Sequence, residues 1–240
     1  MLPQISAVIT FHREGLLAHK SLLSLRRCIL AAERRGIAVE VVATLDNADS
    51  ETSRIVAMHR DTGLIDQLLE VHCGDLGLSR NAAILSARGT WILICDGDDY
   101  LSAGFITRCW DTAAGDEHVI LHPELIVTFG AETGIWWQTG SNAAEFDANC
   151  MLVTNPWNSC SFGAKDIYLE TPYVLARPGE SGFGFEDWHW NCQTLALGHP
   201  HLIAEKTAHY VRKKESGSLN NAHAGNRALI PPTRLFAPRP

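Results

Sequence analysis

Three carboxylates follow directly after one strongly apolar segment of the 240-residue sequence. Residues 91–95 are all apolar, and the chain then continues with Asp96-Gly97-Asp98-Asp99. Like charges at the end of a buried strand are unfavourable unless a cation neutralises them. Oxygen ligands in an open turn suit Mg²⁺ or Mn²⁺, which bind substrate phosphates in their remaining positions. The turn therefore predicts a divalent metal site, although a plain acidic connection to the next helix has the same composition.

Two further acidic segments stand where strand and helix patterns meet. Asp46-Asn47-Ala48-Asp49-Ser50 follows a second apolar run, but Asn, Asp and Ser also favour turns and helix caps. Glu186-Asp187 opens a helix pattern, where the macrodipole stabilises carboxylates in any protein. Neighbouring glycines favour a movable loop, and neighbouring aromatic residues offer faces that stack on sugars: Gly179, Gly182, Gly184, Phe183, Phe185, Trp188 and Trp190. A functional and a purely structural role are open for each segment.

Strand-like and helix-like segments alternate through the first hundred residues. The periodicity predicts strands at residues 5–11, 39–45, 68–73 and 90–95, and helices at residues 21–35, 50–61 and 79–88. Parallel strands need long crossovers, so this alternation predicts an α/β fold with a mostly parallel sheet and helices on both faces. Ligands bind beyond the carboxyl ends of such strands, which directs attention to the residues after positions 9, 45 and 95.

The rhythm changes after residue 101. Helix patterns occupy residues 105–113 and 187–197, and strand patterns occupy residues 119–121, 125–129, 135–138 and 208–212. Strands without intervening helices favour antiparallel pairing, so the whole sheet is expected to be mixed. Because no repeat or flexible linker interrupts the chain, we expect one domain over residues 1–240 with an irregular tail at 231–240.

Composition and charge exclude several classes of protein. A net charge of −7 disfavours a general nucleic-acid binder, because the chain would repel a phosphate backbone. Seven cysteines without a C-x-x-C motif favour reduced thiols over a disulfide framework. Apolar runs fall short of the roughly 20 residues that span a bilayer, and the N-terminus lacks a signal-peptide pattern. We therefore expect a cytoplasmic protein with at most peripheral membrane association.

Five segments occur in an order that carries a family resemblance. They are Thr10-Phe11-His12-Arg13-Glu14 after the first strand, residues 45–52 after the second, Gly77-Leu78-Ser79-Arg80-Asn81, Asp96-Gly97-Asp98-Asp99, and Gly184-Phe185-Glu186-Asp187-Trp188. Together they resemble family 2 glycosyltransferases of the GT-A fold, whose motifs include G-x-A-R-N and D-x-D. The likeness runs from about residue 5 to residue 219. Leu45-Asp46 stands where the family often has two adjacent acids, so the nucleotide is left open.

The resemblance implies a donor site with a metal. The implied donor-binding residues are Thr10, Phe11, Glu14, Asp46, Arg80, Asp96, Gly97 and Arg212. Asp46 would accept a hydrogen bond from the base, and Arg80 would hold the diphosphate or order the D-x-D turn. Asp98 would ligate Mn²⁺ or Mg²⁺ directly, with Asp99 beside it, and His209 would complete the coordination.

The resemblance also implies how the sugar is transferred. Asp187 would be the general base that deprotonates the acceptor, with Glu186 positioning or assisting it. A single base implies direct displacement with inversion, since retention would need a separate nucleophile. Arg212 would neutralise the leaving diphosphate from a segment, residues 211–226, that is predicted to be mobile until donor binds.

The expected function is an inverting glycosyltransferase. It would move a sugar from a nucleotide-diphosphate donor, with a UDP-sugar favoured, to a hydroxyl acceptor, as in cell-surface glycan synthesis. Residues 1–100 would form the donor-binding half and residues 101–230 the acceptor-binding half. One alternative is a sugar-phosphate nucleotidyltransferase, but its glycine-rich loop is missing, because residues 10–20 contain only Gly15. A non-catalytic carbohydrate-binding relative is the other, consistent with tryptophans at positions 136, 137, 157, 188 and 190.

Overall fold

The computed structural model describes residues 2–215 and 225–237. Its strands are β1 (Ile5–Phe11), β2 (Val39–Asp46), β3 (Gln67–Val71), β4 (Trp91–Asp96), β5 (Tyr100–Leu101), β6 (Ile120–Gly130), β7 (Gly134–Trp137), β8 (Phe162–Ala164) and β9 (His201–Lys213). Its helices are α1 (Leu16–Glu33), α2 (Ser50–Asp61), α3 (Leu76–Ser86), α4 (Phe105–Ala113), α5 (Lys165–Glu170), α6 (Pro178–Ser181) and α7 (Glu186–Ala196), with 3-10 turns at Ala148–Leu152 and Arg234–Phe236.

All nine strands belong to one mixed sheet. Eight follow the order β3-β2-β1-β4-β8-β6-β9-β5, and β7 pairs with the far end of β6. The strands β1 to β4 are mutually parallel, whereas β8 runs antiparallel to both β4 and β6. Thr10 of β1 lies in register with Asp96 of β4, so the ends of these two strands meet.

Helices cover both faces of this sheet, as predicted. The chain moves outward from β1 through β2 to β3 and then returns to β4 on the other side of β1. Because β-α-β crossovers are right-handed, this reversal places α3 on the face opposite α1 and α2. Accordingly α1 packs on α2 and α4, whereas α3 packs on α5 and α7. The reversal leaves a crevice beyond the carboxyl ends of β1 and β4, the usual ligand site of such sheets.

The first half agrees closely with the sequence predictions. The helix predicted at residues 50–61 and the strand predicted at residues 5–11 have those bounds, and the bounds of the other three strands differ by one or two residues. The helix predicted at residues 21–35 begins earlier, at Leu16, because Gly15 starts it with a φ of 54°. The N–H of Gly15 donates to Oγ1 of Thr52 at 2.9 Å, which fixes this start from α2. Leu16 itself is 69% exposed, so no apolar periodicity marks the first turn.

The second half departs further from the predictions. The strands predicted at residues 119–121 and 125–129 are one strand, β6, whose register against β9 shifts between Pro123 and Leu125. Proline has no N–H for the ladder and occurs at such irregularities, so the apparent break is a bulge. The last strand begins at His201 rather than at residue 208 and runs parallel to β6. β7 pairs antiparallel with β6, as predicted for strands that no helix separates. β5 and β8 were not predicted.

The core lies on both faces of the sheet. Every residue of β1 is buried, and Trp157 and Trp190 are 1% exposed. Trp136 and Trp137 of β7, by contrast, are exposed. All seven cysteines are free, as expected. In the part of the chain that the structure describes, no helix combines the length and the apolar character needed to cross a membrane.

Candidate functional site

A cleft of about 590 Å³ opens at the carboxyl ends of β1, β2 and β4. It gathers residues from the ends of these strands, from the starts of α3 and α7, and from the end of β9. Of the residues predicted for the site, all except His209 line this cleft. His209 is 1% exposed and contacts the acidic turn at Asp99. The segments that the sequence separates by up to two hundred residues therefore meet at one place.

The acidic turn after β4 is shaped by Gly97. A Cβ at this position would lie 2.5 Å from Cδ1 of Phe11 and 2.6 Å from the carbonyl oxygen of Thr10, and no such contact is tolerated. The turn closes with the N–H of Asp99 donating to the carbonyl oxygen of Asp96 at 3.3 Å. Glycine therefore lets the backbone of the turn lie against the end of β1, and all three carboxylate residues line the cleft.

Each carboxylate of the acidic turn has a basic partner within the protein. The pairs are Asp96 with Arg80 at 2.6 Å, Asp98 with Lys214 at 2.6 Å and Asp99 with His209 at 3.1 Å. Ser159 Oγ also donates to Asp96 at 2.6 Å. The sequence predicts that a cation offsets these charges and favours a divalent metal in that role. Arg80 and Lys214 supply two such cations from within the chain, and His209 contacts the third carboxylate.

The turn nevertheless offers ligands of the type that a divalent cation prefers. Asp98 keeps 16% of its side chain exposed at the cleft. Nε2 of His209 faces Asp99, and its Nδ1 contacts the side-chain amide of Asn158, so both ring nitrogens are engaged. Among the described residues, no three His, Cys, Asp or Glu side chains form a ready metal site. Asp98 fits a divalent cation once Lys214 moves away, and His209 would first have to exchange partners.

Arg80 joins the acidic turn to the start of α7. Its side chain is fully buried, and Nη2 donates to Asp96 at 2.6 Å while Nη1 donates to Glu186 at 2.9 Å. Its Cζ lies 5.3 Å from the ring centre of Tyr173. Burial disfavours the guanidinium charge, but the two carboxylates prevail and raise the pKa of Arg80. This placement suits the ordering of the D-x-D turn, one of the two roles expected for Arg80.

Asp46 anchors the loop that leads into α3. Its Oδ1 accepts from the N–H of Gly74 at 3.0 Å and from the amide of Asn47 at 3.0 Å. Its Oδ2 accepts from Ser79 Oγ at 2.7 Å and from the N–H of Asp75 at 3.2 Å. Asp46 is 7% exposed, so its carboxylate already has four partners within the chain. A base could reach it only by replacing one of them.

The acidic pair at the start of α7 follows a strained residue. Phe185 adopts φ 57° and ψ 58°, a left-handed backbone conformation that residues other than glycine rarely take. Glu186 is 3% exposed and contacts Arg80, while Oδ1 of Asp187 accepts from the N–H of Trp188 at 2.8 Å. The pair is thereby held at the edge of the cleft by backbone geometry and by the buried arginine.

Burial raises the pKa of both carboxyl groups of the pair. Burial and the neighbouring charge of Asp187 raise the pKa of Glu186 to about 7, against the opposing effect of Arg80. Burial also raises the pKa of Asp187, while Arg80 and the N–H of Trp188 act in the opposite direction. A carboxylate whose pKa approaches the working pH accepts a proton more effectively than an ordinary one. The carboxyl group of Glu186 can therefore take up and release a proton near neutral pH.

Glu186 makes stability depend on pH in a defined direction. Its pKa is raised in the folded state, so the folded protein holds a proton that the unfolded chain releases between pH 4.5 and about 7. We expect the free energy of unfolding to fall as pH rises through this window, and Glu186→Gln to remove that part of the slope. Urea denaturation at several pH values measures it. Glu180→Gln, a change at an exposed glutamate, should keep the slope; an unchanged slope in Glu186→Gln would contradict the assignment.

Several residues of the cleft were not predicted from the sequence. Asn158 and Ser159 line the cleft from the loop before β8, and Asp75 caps α3 by accepting from the N–H of Leu78 at 2.9 Å. The N-cap pattern before α3 was a usable signal for Asp75, whereas nothing local marks the other two. The predicted mobile segment begins in β9, whose Arg212 donates its N–H to Asp99 at 2.8 Å. Residues 216–224 of that segment lie outside the described residues.

Comparison with known proteins agrees with this architecture. Residues 6–172 match the family model of glycosyl transferase family 2. Among curated proteins, the poly(ribitol-phosphate) beta-N-acetylglucosaminyltransferase TarS of Staphylococcus aureus is 23% identical over 207 residues, which cover 82% of this chain and 34% of TarS. This chain thus spans about a third of the length of the curated relatives that it matches.

Solved structures show the same fold. TarS residues 1–349 in complex with UDP-GlcNAc match with a TM-score of 0.68 and 17% identity, over 90% of this chain and 60% of that one. Mannosyltransferase PcManGT from Pyrobaculum calidifontis, in complex with GDP-Man and Mn²⁺, matches with a TM-score of 0.62 and 14% identity, over 90% and 59%. These likenesses confirm the predicted GT-A fold.

Proposed function

This chain belongs to glycosyl transferase family 2, and from that premise we propose that it transfers a sugar from a nucleotide-diphosphate donor to a hydroxyl acceptor with inversion. One observation carries the proposal: the acidic turn and the Glu186-Asp187 pair line a single cleft, joined by the buried Arg80. A diphosphate site and a proton acceptor must lie in the same cleft, because the anomeric carbon reacts between them.

The donor occupies the part of the cleft beside β1 and β2. Thr10, Phe11 and Glu14 line the nucleoside pocket, and Asp46 is the acceptor for the base once one of its chain partners is replaced. Residues 1–100 thus serve the donor, and residues 101–230 the acceptor, within one domain. A UDP-sugar is favoured because the TarS structure holds UDP-GlcNAc; GDP-Man in the mannosyltransferase structure makes GDP-sugars the second choice.

The transfer step needs a base and a neutralised leaving group. Asp187 accepts the proton of the acceptor hydroxyl, and Glu186, which is held by Arg80, positions Asp187. Attack by that hydroxyl displaces the nucleotide diphosphate and inverts the anomeric carbon. Bound at Asp98, Mn²⁺ or Mg²⁺ would supply charge neutralisation of the diphosphate. Arg212 and Lys214, both lining the cleft, add positive charge on the same side.

The acceptor and the setting complete the proposal. TarS is named for poly(ribitol-phosphate), which supports a cell-surface glycan as the acceptor of this chain. The cytoplasmic location and the absence of a nucleic-acid partner stay predictions.

A panel of nucleotide sugars with Mn²⁺, followed by thermal shift and by release of the nucleotide diphosphate, tests the activity. Nucleotide triphosphate consumption would favour the nucleotidyltransferase, and sugar binding without nucleotide binding would favour a non-catalytic relative.

Two variants at the proposed metal site should change Mn²⁺ affinity in opposite directions. Asp98→Asn should weaken Mn²⁺ binding in the presence of UDP, because it removes a formal charge while preserving shape. Lys214→Met should strengthen Mn²⁺ binding without nucleotide, because it removes the cation that lies 2.6 Å from Asp98. Electron paramagnetic resonance of free Mn²⁺ measures both. Asp111→Asn, at an exposed carboxylate paired with Arg35, is the control; unchanged affinity in Asp98→Asn would remove Asp98 from the ligand set.

A further inference from the structure

The exposed tryptophans of β7 differ in what they face. Trp136 is 44% exposed and lines the cleft, whereas Trp137, 68% exposed, is not among the cleft residues. Successive side chains of a strand point to opposite faces, so the two indoles lie on opposite sides of β7. Trp136 is in register with Ile126 of β6, which also lines the cleft and is fully buried.

The position of Trp136 in the sheet separates it from the nucleotide side of the cleft. β7 pairs with β6, which lies beyond β8 on the side of β4 opposite β1 and β2. The acidic turn at the end of β4 therefore stands between the residues that serve the donor and Trp136. Asp187, the proposed base, lines the same cleft. A molecule lying on the indole would approach the reacting carbon from the acceptor side.

We propose that Trp136 is the stacking platform for a pyranose ring of the acceptor. This inference rests on the proposed function and adds to it the chemical class of the acceptor. A large apolar side chain left exposed in a ligand-sized cleft favours a ligand with an apolar face of its own. The flat indole matches the C–H face of a six-membered sugar ring, which an acyclic polyol phosphate does not present. The acceptor of this chain therefore ends in a pyranose and differs in this from the polyol phosphate for which TarS is named.

Neighbouring residues on β7 provide a matched pair of variants. Trp136→Ala removes the platform, and Trp137→Ala removes an equally large, more exposed indole from the opposite face. Trp136→Tyr keeps a flat ring and serves as the conservative replacement. The probes are methyl pyranosides of glucose, galactose and N-acetylglucosamine, with ribitol phosphate as the acyclic comparison, each added with UDP and Mn²⁺. Saturation-transfer NMR reports which probe protons touch the protein.

The expected result is saturation of the ring protons on one face of at least one pyranoside. Trp136→Ala should weaken its binding by about tenfold or more, as loss of a central aromatic contact does. Trp137→Ala should behave as the unmodified protein, and Trp136→Tyr should retain most of the affinity. UDP affinity and donor hydrolysis without acceptor should stay unchanged in Trp137→Ala, whose indole does not line the cleft.

Other outcomes separate this inference from the proposed function. If no pyranoside binds, if ribitol phosphate binds in its place, or if both alanine variants bind alike, the platform is wrong while the transferase proposal stands. If Trp136→Ala lowers UDP affinity or donor hydrolysis, Trp136 serves the donor and the inference fails. If the unmodified protein binds no nucleotide sugar, the proposed function itself fails.

Discussion

Asp187→Asn should lower turnover by about 10²-fold or more while leaving donor affinity nearly unchanged, because it removes the proposed general base. The amide keeps the size of the side chain and can still accept from the N–H of Trp188, which lies 2.8 Å from Oδ1. It cannot take a proton from an acceptor hydroxyl. Release of nucleotide diphosphate at saturating donor and acceptor gives kcat, and titration with UDP gives the donor affinity.

A second helix provides the control for this change. Asp166 lies exposed in the first turn of α5, so Asp166→Asn also loses a carboxylate from a helix start, worth about 0.3–1 kcal/mol of stability. That variant should keep normal turnover. If Asp187→Asn is nearly as active as the unmodified protein and Glu186→Gln is not, the base is Glu186. If both keep their activity, the acidic pair is not catalytic.

Arg80→Met should lower the free energy of unfolding by about 3–5 kcal/mol, the usual effect of breaking a buried ion pair by removing one partner. Arg80 is fully buried between Asp96 and Glu186, and methionine would leave both carboxylates without their cation. Urea denaturation above neutral pH, where the carboxyl groups are ionised, measures the loss. Part of the stability should return at lower pH, because protonation relieves the unpaired charges.

Two comparisons isolate the effect of burial at Arg80. Arg35→Met breaks the exposed pair of Arg35 with Asp111, whose side chains are 48% and 46% exposed, respectively. It should lower stability far less than Arg80→Met, because solvent screens an exposed pair. Arg80→Lys keeps the charge but lacks the planar fork that reaches two carboxylates, so it should fall between the two. A loss below about 1 kcal/mol in Arg80→Met would mean that Asp96 and Glu186 do not depend on the arginine.

The acidic turn and the α7 start were predictable because their signals are local. An apolar run that stops at Asp96 marks a strand end, and the acids at positions 186 and 187 mark a helix start. The contact of Arg80 with Glu186 joins residues 106 positions apart, which no periodicity encodes. The same holds for the contact of Lys214 with Asp98, which joins two segments far apart in the sequence.

The less predictable elements of the fold are short or irregular. β5 has two residues and β8 has three, too few to display an alternating pattern. The bulge at Pro123 imitates a break between two strands, although β6 continues through it. Which tryptophans are exposed could not be predicted either. Trp136 and Trp157 are the same residue type, and only the packing around each side chain makes one exposed and the other buried.

The close contact of Gly97 with Phe11 bears on how descendants of this protein would change during evolution. Any side chain at position 97 would collide with the end of β1, so folding alone requires glycine there. This requirement would remain after the loss of catalysis. Asp96 and Arg80 would likewise be kept by folding, because each balances the other inside the protein. A lineage that abandoned sugar transfer would therefore still carry most of the motif. Asp98 and Asp187 are the positions whose drift would reveal the loss.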